Sequence, residues 1–295
     1  MKLLYAAGLP LLLAGCQENQ LKAIRVDAIA VSLGDFDDVQ NSLTAMDIAS
    51  VAYDGFIVQA TYDPADDRLH RGEMALQVES LLTDPGRGAG LEEFNAIFVN
   101  SGTRGLNRVQ YNDATVADDA LLLDAEHLQA TCDFVNGGGT LVASDWAYDL
   151  VEFCWPERLD FFGEDTEVDA GQVGIADEEV IATVSGGAAY SDKLGSSLTL
   201  AYNYSAWSVI EAAGGDTEVL LRGDVPYQPS SAELEDTLID VPLLVRFVEG
   251  RGQVIFSTFH WGVQNPQVTQ TLLLLAVEGL NPGDGSESQE VDSGA

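Results

Sequence analysis

Apolar and polar positions along this chain fall into runs that read as strands separated by helices. The stretch "AIRVDAIAVSL" is β-branched and apolar, as a buried strand is, and it stops at Gly34-Asp35. Asp35 is placed to cap a helix reaching about Ser50, in which Phe36, Val39, Leu43 and Met46 share one face at spacings of three, four and three. A second strand is expected at "GFIVQATY", a helix over residues 71–82 before the turn "DPGRGAG", and a third strand at "NAIFVNSG". Residues 124–136, "DAEHLQATCDFVN", have helical composition, stop at Gly137-Gly138-Gly139 and lead into a fourth strand, "TLVASD". This succession predicts an α/β fold, a parallel sheet with helices on both faces.

After Gly163 the texture turns towards strands and turns, at "EEVIATV", "SLTLAYNYSAWSVIEA" and "TEVLLRG". The run "PLLVRFVEGRGQVIFSTFHW" reads as a hairpin turning at Glu249-Gly250-Arg251-Gly252, and "NPQVTQTLLLLAVEGL" as a closing helix. No linker separates the halves. The expectation is one α/β domain over residues 24–280, with residues 164–230 as a strand-rich elaboration. The tail "NPGDGSESQEVDSGA" is polar, and residues 281–295 are expected to be disordered.

Composition narrows the partners. Of 295 residues, 48 are acidic and 13 are Lys or Arg, a net charge of −35 that repels phosphate backbones, so nucleic acid is not an expected partner. Such a surface suits salty or cation-rich surroundings. Calcium is the one cofactor the acids suggest, although neither "DFDD" nor "DPADD" has the spacing of an EF-hand loop.

The opening residues "MKLLYAAGLPLLLAG" place one Lys before an apolar stretch too short to span a bilayer, the layout of a secretory signal over residues 1–15. Leu13-Ala14-Gly15-Cys16 resembles the lipobox of bacterial lipoproteins. The resemblance implies a diacylglyceryl group on Cys16, cleavage before it and an acylated amino terminus, with residues 16–23 as the lipidated end and tether. Gln17, rather than Asp, follows the cysteine and by the same resemblance points to the outer membrane. Several acyl chains on one residue anchor firmly, at about 0.8 kcal/mol per buried methylene. In an oxidising compartment Cys132 and Cys154 form an even pair that permits a disulfide, and two free thiols are the alternative. Neither has ligand spacing for a metal.

Ligands of an open parallel sheet bind beyond the carboxyl ends of its strands. The residues expected there are Asp35, Asp37 and Asp38 after the first strand, and Tyr62 and Asp63 after the second. Ser101, Thr103 and Arg104 follow the third, Ser144, Asp145 and Trp146 the fourth, and His260 and Trp261 a late one. These positions resemble the class I glutamine amidotransferase-like superfamily, which includes trehalose-utilisation-type proteins, over residues 24–155 and 241–280. In that family a glycine-rich loop helps bind an oxyanion, matched here by Asn100-Ser101-Gly102. A cysteine nucleophile sits on the next strand's elbow, where this chain has "VASDWAY", with Ser144 or Asp145 in the thiol's place. The family's Phe-His-Pro-Glu corresponds to Phe259-His260-Trp261-Gly262, which lacks the glutamate. Cys132 and Cys154 fall on the flanking helices, so glutamine amidotransfer is excluded.

Three functions are consistent with these residues. The first is a lipid-anchored, non-catalytic domain binding a small ligand, a glycan or an envelope protein, with Asp35, Asp63, Ser101, Thr103, Arg104, Trp146 and Trp261 as candidate contacts. The second is a hydrolase in which His260 activates Ser144 or Asp145. The third is a structural or assembly lipoprotein. Each residue also has a plain structural reading: His260 as a strand-end histidine, Asp35 and Asp38 as cap and first-turn acids, and Asp63 as a turn residue.

Overall fold

A computed structural model of the chain describes residues 29–34, 36–54, 60–63, 68–71, 94–103, 123, 125–163, 170–175, 178–204, 206–228 and 236–278. Cys16, Asp35, Arg104, the signal segment and the acidic tail lie outside the described residues.

The first half of the chain contains β1 (Ile29–Leu33), α1 (Val39–Ala45), β2 (Val51–Asp54), β3 (Ala60–Asp63), β4 (Arg68–Arg71) and β5 (Ala96–Val99). There follow α2 (Ala125–Asn136), β6 (Thr140–Ser144), α3 (Tyr148–Cys154), β7 (Leu159–Phe161), β8 (Gly174–Ile175) and β9 (Glu178–Val184). The remainder comprises α4 (Gly187–Leu194), β10 (Ser197–Tyr202), β11 (Ala206–Trp207), β12 (Ile210–Ala213), β13 (Glu218–Tyr227), β14 (Asp236–Glu249), β15 (Gly252–Ser257) and α5 (Pro266–Glu278).

Five of these strands form a parallel sheet in the order β2-β1-β5-β6-β15. Renumbered along the chain, that order is 2-1-3-4-5, the flavodoxin-like arrangement, whose switch point lies between β1 and β5. Beyond β15 the sheet continues antiparallel through β14, β13, β9 and β10. The strand-rich second half thus extends the parallel sheet itself. At the far edge, the Gln264 side chain accepts from Ala201 N at 2.9 Å and donates to Ala201 O at 2.8 Å.

Every residue of β1 is buried. Ile29 and Val31 pack on one face with Val39 and Leu43 of α1 and Leu272 and Leu273 of α5. Ala30 packs on the other face with Val135 of α2 and Leu150 and Val151 of α3. Helices therefore cover both faces of the sheet, which is why its central strands carry apolar residues at successive positions. Cys132 of α2 and Cys154 of α3 are joined by a disulfide.

The structure redraws three of the sequence-based elements. Asp38, not Asp35, caps α1, its side chain accepting from Asn41 N. That helix ends at Ala45 because Asp47 takes φ 57°, with Ile48 N donating to Leu43 O and Asp47 N to Thr44 O. This is a Schellman stop, and with aspartate where glycine is usual it leaves no mark in the sequence. The strand beside β1 is accordingly Val51–Asp54, while Ala60–Asp63 pairs with Arg68–Arg71 in a separate hairpin. Arg71, expected to begin a helix, closes that hairpin, and residues 72–82 lie outside the described residues. Finally, "SLTLAYNYSAWSVIEA" breaks into β10, β11 and β12.

Candidate functional site

Four chain segments meet at the carboxyl edge of the parallel sheet, carrying Asp37 after β1, Ser101 after β5, Asp145 after β6 and His260 after β15. The ends of β1 and β5 touch so closely that a Cβ on Gly34 would lie 2.0 Å from the Ser101 carbonyl oxygen. Glycine is required there by approach alone.

Strand β6 gives way to a tight 3-10 turn, Asp145–Ala147, and then to α3. Asp145 opens the turn at φ 42°, a left-handed conformation unusual for a residue with a side chain. A strained strand-to-helix turn of this kind projects a side chain from a sheet edge, and its occupant is Asp145 rather than Ser144.

The Asp145 carboxylate is fully buried. One oxygen, Oδ1, accepts from Ser208 N at 2.6 Å. The other, Oδ2, lies 2.7 Å from His260 Nε2 and accepts from the Ser101 hydroxyl at 3.3 Å. An ionised carboxylate only accepts, so His260 Nε2 carries a proton directed at Asp145. Ser101 Oγ is 3.0 Å from the same nitrogen, and Nδ1 faces Asn203 Oδ1 at 3.4 Å. Burial pulls the pKa of His260 down, but the neighbouring Asp145 carboxylate, aided by Asp37, outweighs it and leaves the imidazole above its ordinary value.

A second buried carboxylate ties the segments together. Asp37 accepts from Asp38 N at 2.8 Å, Trp261 N at 3.0 Å, Gly262 N at 2.9 Å and Ser144 Oγ at 2.9 Å. Ser144 in turn accepts from Ser101 N at 3.0 Å. Burial raises the pKa of Asp37, against the His260 charge and these donors, which hold it down. The expected pairing of Ser144 with His260 is therefore not the one formed. Ser144 faces Asp37, and the side chains at His260 Nε2 are Asp145 and Ser101.

Thr103 is buried, bonded to Ser32 Oγ at 2.6 Å and Asn100 O at 2.7 Å, as part of the scaffold. Trp261, expected as a ligand contact, is 1% exposed and packs against Phe259 in the core. Asp63 stands on the β3–β4 hairpin, a sheet separate from the parallel one. Among the described residues, no three His, Cys, Asp or Glu side chains gather as a metal site. The Asn100 side-chain nitrogen and the Ser208 hydroxyl are buried without a hydrogen-bond partner among the described residues.

Three half-buried aromatic residues complete the site. Phe36 meets Trp146 at 5.0 Å between ring centroids and Tyr204 at 5.1 Å, and Tyr204 meets the His260 ring at 4.5 Å, all edge-on. Trp146 follows Asp145 in the chain, and its indole N–H donates to Ala206 O at 3.1 Å. Phe36 and Tyr204 are site residues that sequence reasoning misses. The apolar spacing puts Phe36 on the helix face, and Tyr204 falls in the middle of an apparent strand that in fact breaks at Asn203.

Comparison with known proteins gives structural likeness alone. No family model matches the chain, and no curated protein does. Among solved structures it is similar to a ThuA-like protein from Bacteroides uniformis, with 14% identity, 90% of this chain and 95% of that one covered, and a TM-score of 0.45. A ThuA-like protein from Parabacteroides merdae gives 10% identity, coverage of 87% and 90%, and a TM-score of 0.49. A protein of the GMP synthase type from Thermoplasma acidophilum gives 7% identity, coverage of 86% and 94%, and a TM-score of 0.48. The likeness is one of fold.

Proposed function

We propose that this chain is a lipid-anchored protein of the cell envelope, held at the outer membrane through Cys16, whose amidotransferase-like domain binds a ligand without transforming it. The observation that carries the non-catalytic part is the commitment of His260 Nε2 to Asp145. A histidine acting as general base must present an unprotonated nitrogen to the hydroxyl it activates. The nitrogen that faces Ser101 already donates to Asp145 Oδ2, and Asp145 Oδ1 is held by Ser208 N. His260 is therefore not placed as the base that would activate Ser101.

The binding part is supported by the aromatic rim. Trp155, Trp207 and Trp261 are buried, whereas Trp146 is half-buried beside Phe36, so its emission reports on the rim. Half-buried aromatic side chains beside fixed polar groups suit a small polar ligand.

Titration with maltotetraose, chitotetraose and small polar metabolites, followed by tryptophan fluorescence, should give a saturable change that Trp146→Phe abolishes. Turnover of activated esters, with an adduct on Asp145 or Ser101 seen by mass spectrometry, would overturn the non-catalytic reading. For the anchor, Cys16→Ser should move the protein from the membrane fraction to the soluble one. Continued retention would contradict it.

A further inference from the structure

At the opposite edge of the parallel sheet, where β5 and β6 begin, a cleft of about 460 Å³ lies beside the end of α2. Phe94, Phe134 and Ala130 give it an apolar lining, and Asp133 and Asn95 are its polar side chains. The rest is the glycine run 137–139, which brings backbone and no side chains. The amides of that run are already engaged: Gly137 N donates to Asp133 O at 2.8 Å, Gly138 N to Val135 O at 2.9 Å and Gly139 N to Phe134 O at 2.9 Å. The run can therefore only accept. Asp133 is exposed, its Oδ1 accepts from Gln129 Nε2 at 2.8 Å, and among the described residues no Lys or Arg pairs with it. Helix α2 has no basic residue in its last turn to offset the negative end of its dipole. Instead Arg251, in the turn between β14 and β15, reaches across and donates from Nη2 to Gly137 O at 2.7 Å.

We infer that this cleft binds a small, free alkylguanidinium, with the head at the Asp133 carboxylate and the glycine carbonyls and the stem along Phe94, Phe134 and Ala130. The cleft has the size of a small-molecule site, which runs from roughly 300 to 1,000 Å³. A backbone that only accepts selects a ligand that donates, and the carboxylate and helix end select one that is positive. A guanidinium meets both demands with a planar fork of N–H groups. Arg251 is the internal precedent, since this helix end already takes one such head from the chain itself. The net charge of −35 gathers small cations around the molecule and turns anions away. The cleft and the aromatic rim stand at opposite ends of the same strands, so neither reading depends on the other.

The test compares charge at constant shape. Full-length protein is titrated with n-butylguanidinium chloride and with n-butylurea, its neutral isostere, in about 150 mM sodium chloride to screen diffuse attraction. The amide signals of Gly137, Gly138 and Gly139 are followed by nuclear magnetic resonance. The guanidinium should shift them saturably and bind about tenfold more tightly than the urea. Asp133→Asn removes the charge and Ala130→Phe fills the space. Each, checked for native circular dichroism, should weaken binding about fivefold or more, whereas Glu179→Gln, an exposed acid on β9, should leave it unchanged. The wild-type comparison decides the matter even where a variant misfolds. Equal binding of the urea, an equal loss in Glu179→Gln, or glycine signals that do not move would each overturn the assignment. Tighter binding of acetyl-Gly-Arg-Gly-amide than of butylguanidinium would overturn the free ligand in favour of an arginine from a partner chain.

Discussion

Replacing Asp145 with asparagine removes one charge from the centre of the site and little else. The amide oxygen can still accept from Ser208 N, but the amide nitrogen cannot accept from His260 Nε2. Asp145 is 0% exposed and His260 4% exposed, so solvent screens neither. Removing one member of a buried ion pair strands the other, at a cost of about 3–5 kcal/mol. With a urea dependence of about 3 kcal/mol per molar, the unfolding midpoint should fall by about 1 M or more.

The pH dependence of that loss is the sharper test. The pKa of His260 is raised in the folded state. Such a group adds stability that is whole below its unfolded value of about 6.5 and disappears as pH climbs through the folded one. The gap between wild type and Asp145→Asn should therefore be widest at mildly acidic pH and should narrow on the alkaline side. Urea unfolding of both proteins across that range measures it. A gap of equal size at every pH, or one below about 1 kcal/mol, would refute the ion pair.

Other perturbations follow from the same structure. Converting Cys132 and Cys154 together to alanine opens a loop with a sequence separation of 22 and should lower stability by about 3 kcal/mol, read from denaturation with and without reductant. His127 is buried on α2 with neither ring nitrogen hydrogen-bonded among the described residues, so His127→Leu should raise the unfolding midpoint, by about 1 kcal/mol of stability. Gly34→Ala drives a methyl group into the Ser101 carbonyl and should cost about 1–3 kcal/mol while displacing the Ser101 loop, detectable as altered Trp146 emission.

The parallel sheet is legible in the sequence because β1, β5 and β6 are apolar on both faces and end in glycine or in small polar residues. The path of the chain between them is not. Asp47 stops α1 with a residue that carries no stop signal, so the apolar pattern puts the strand paired with β1 one element too late. The site is half legible. Strand ends place Ser101, Asp145 and His260 at one edge, but partner choice depends on the left-handed φ of Asp145, which aims its side chain at His260 and leaves Ser144 to Asp37. Proximity to His260 suggests the ligand side for Trp261, although its ring packs against Phe259 in the core. Tyr204 reaches the rim only because the chain leaves strand geometry at Asn203.

One detail at the margin of the sheet bears on how these molecules behave when crowded together. The outward amide and carbonyl of Ala201, at the border of the eleven described strands of the sheet, are already answered by the Gln264 side chain, which imitates the next strand. An unanswered border of that kind recruits backbone from whatever lies beside it. The glutamine occupies one backbone pair of that border, leaving a neighbouring strand one fewer pair to bind.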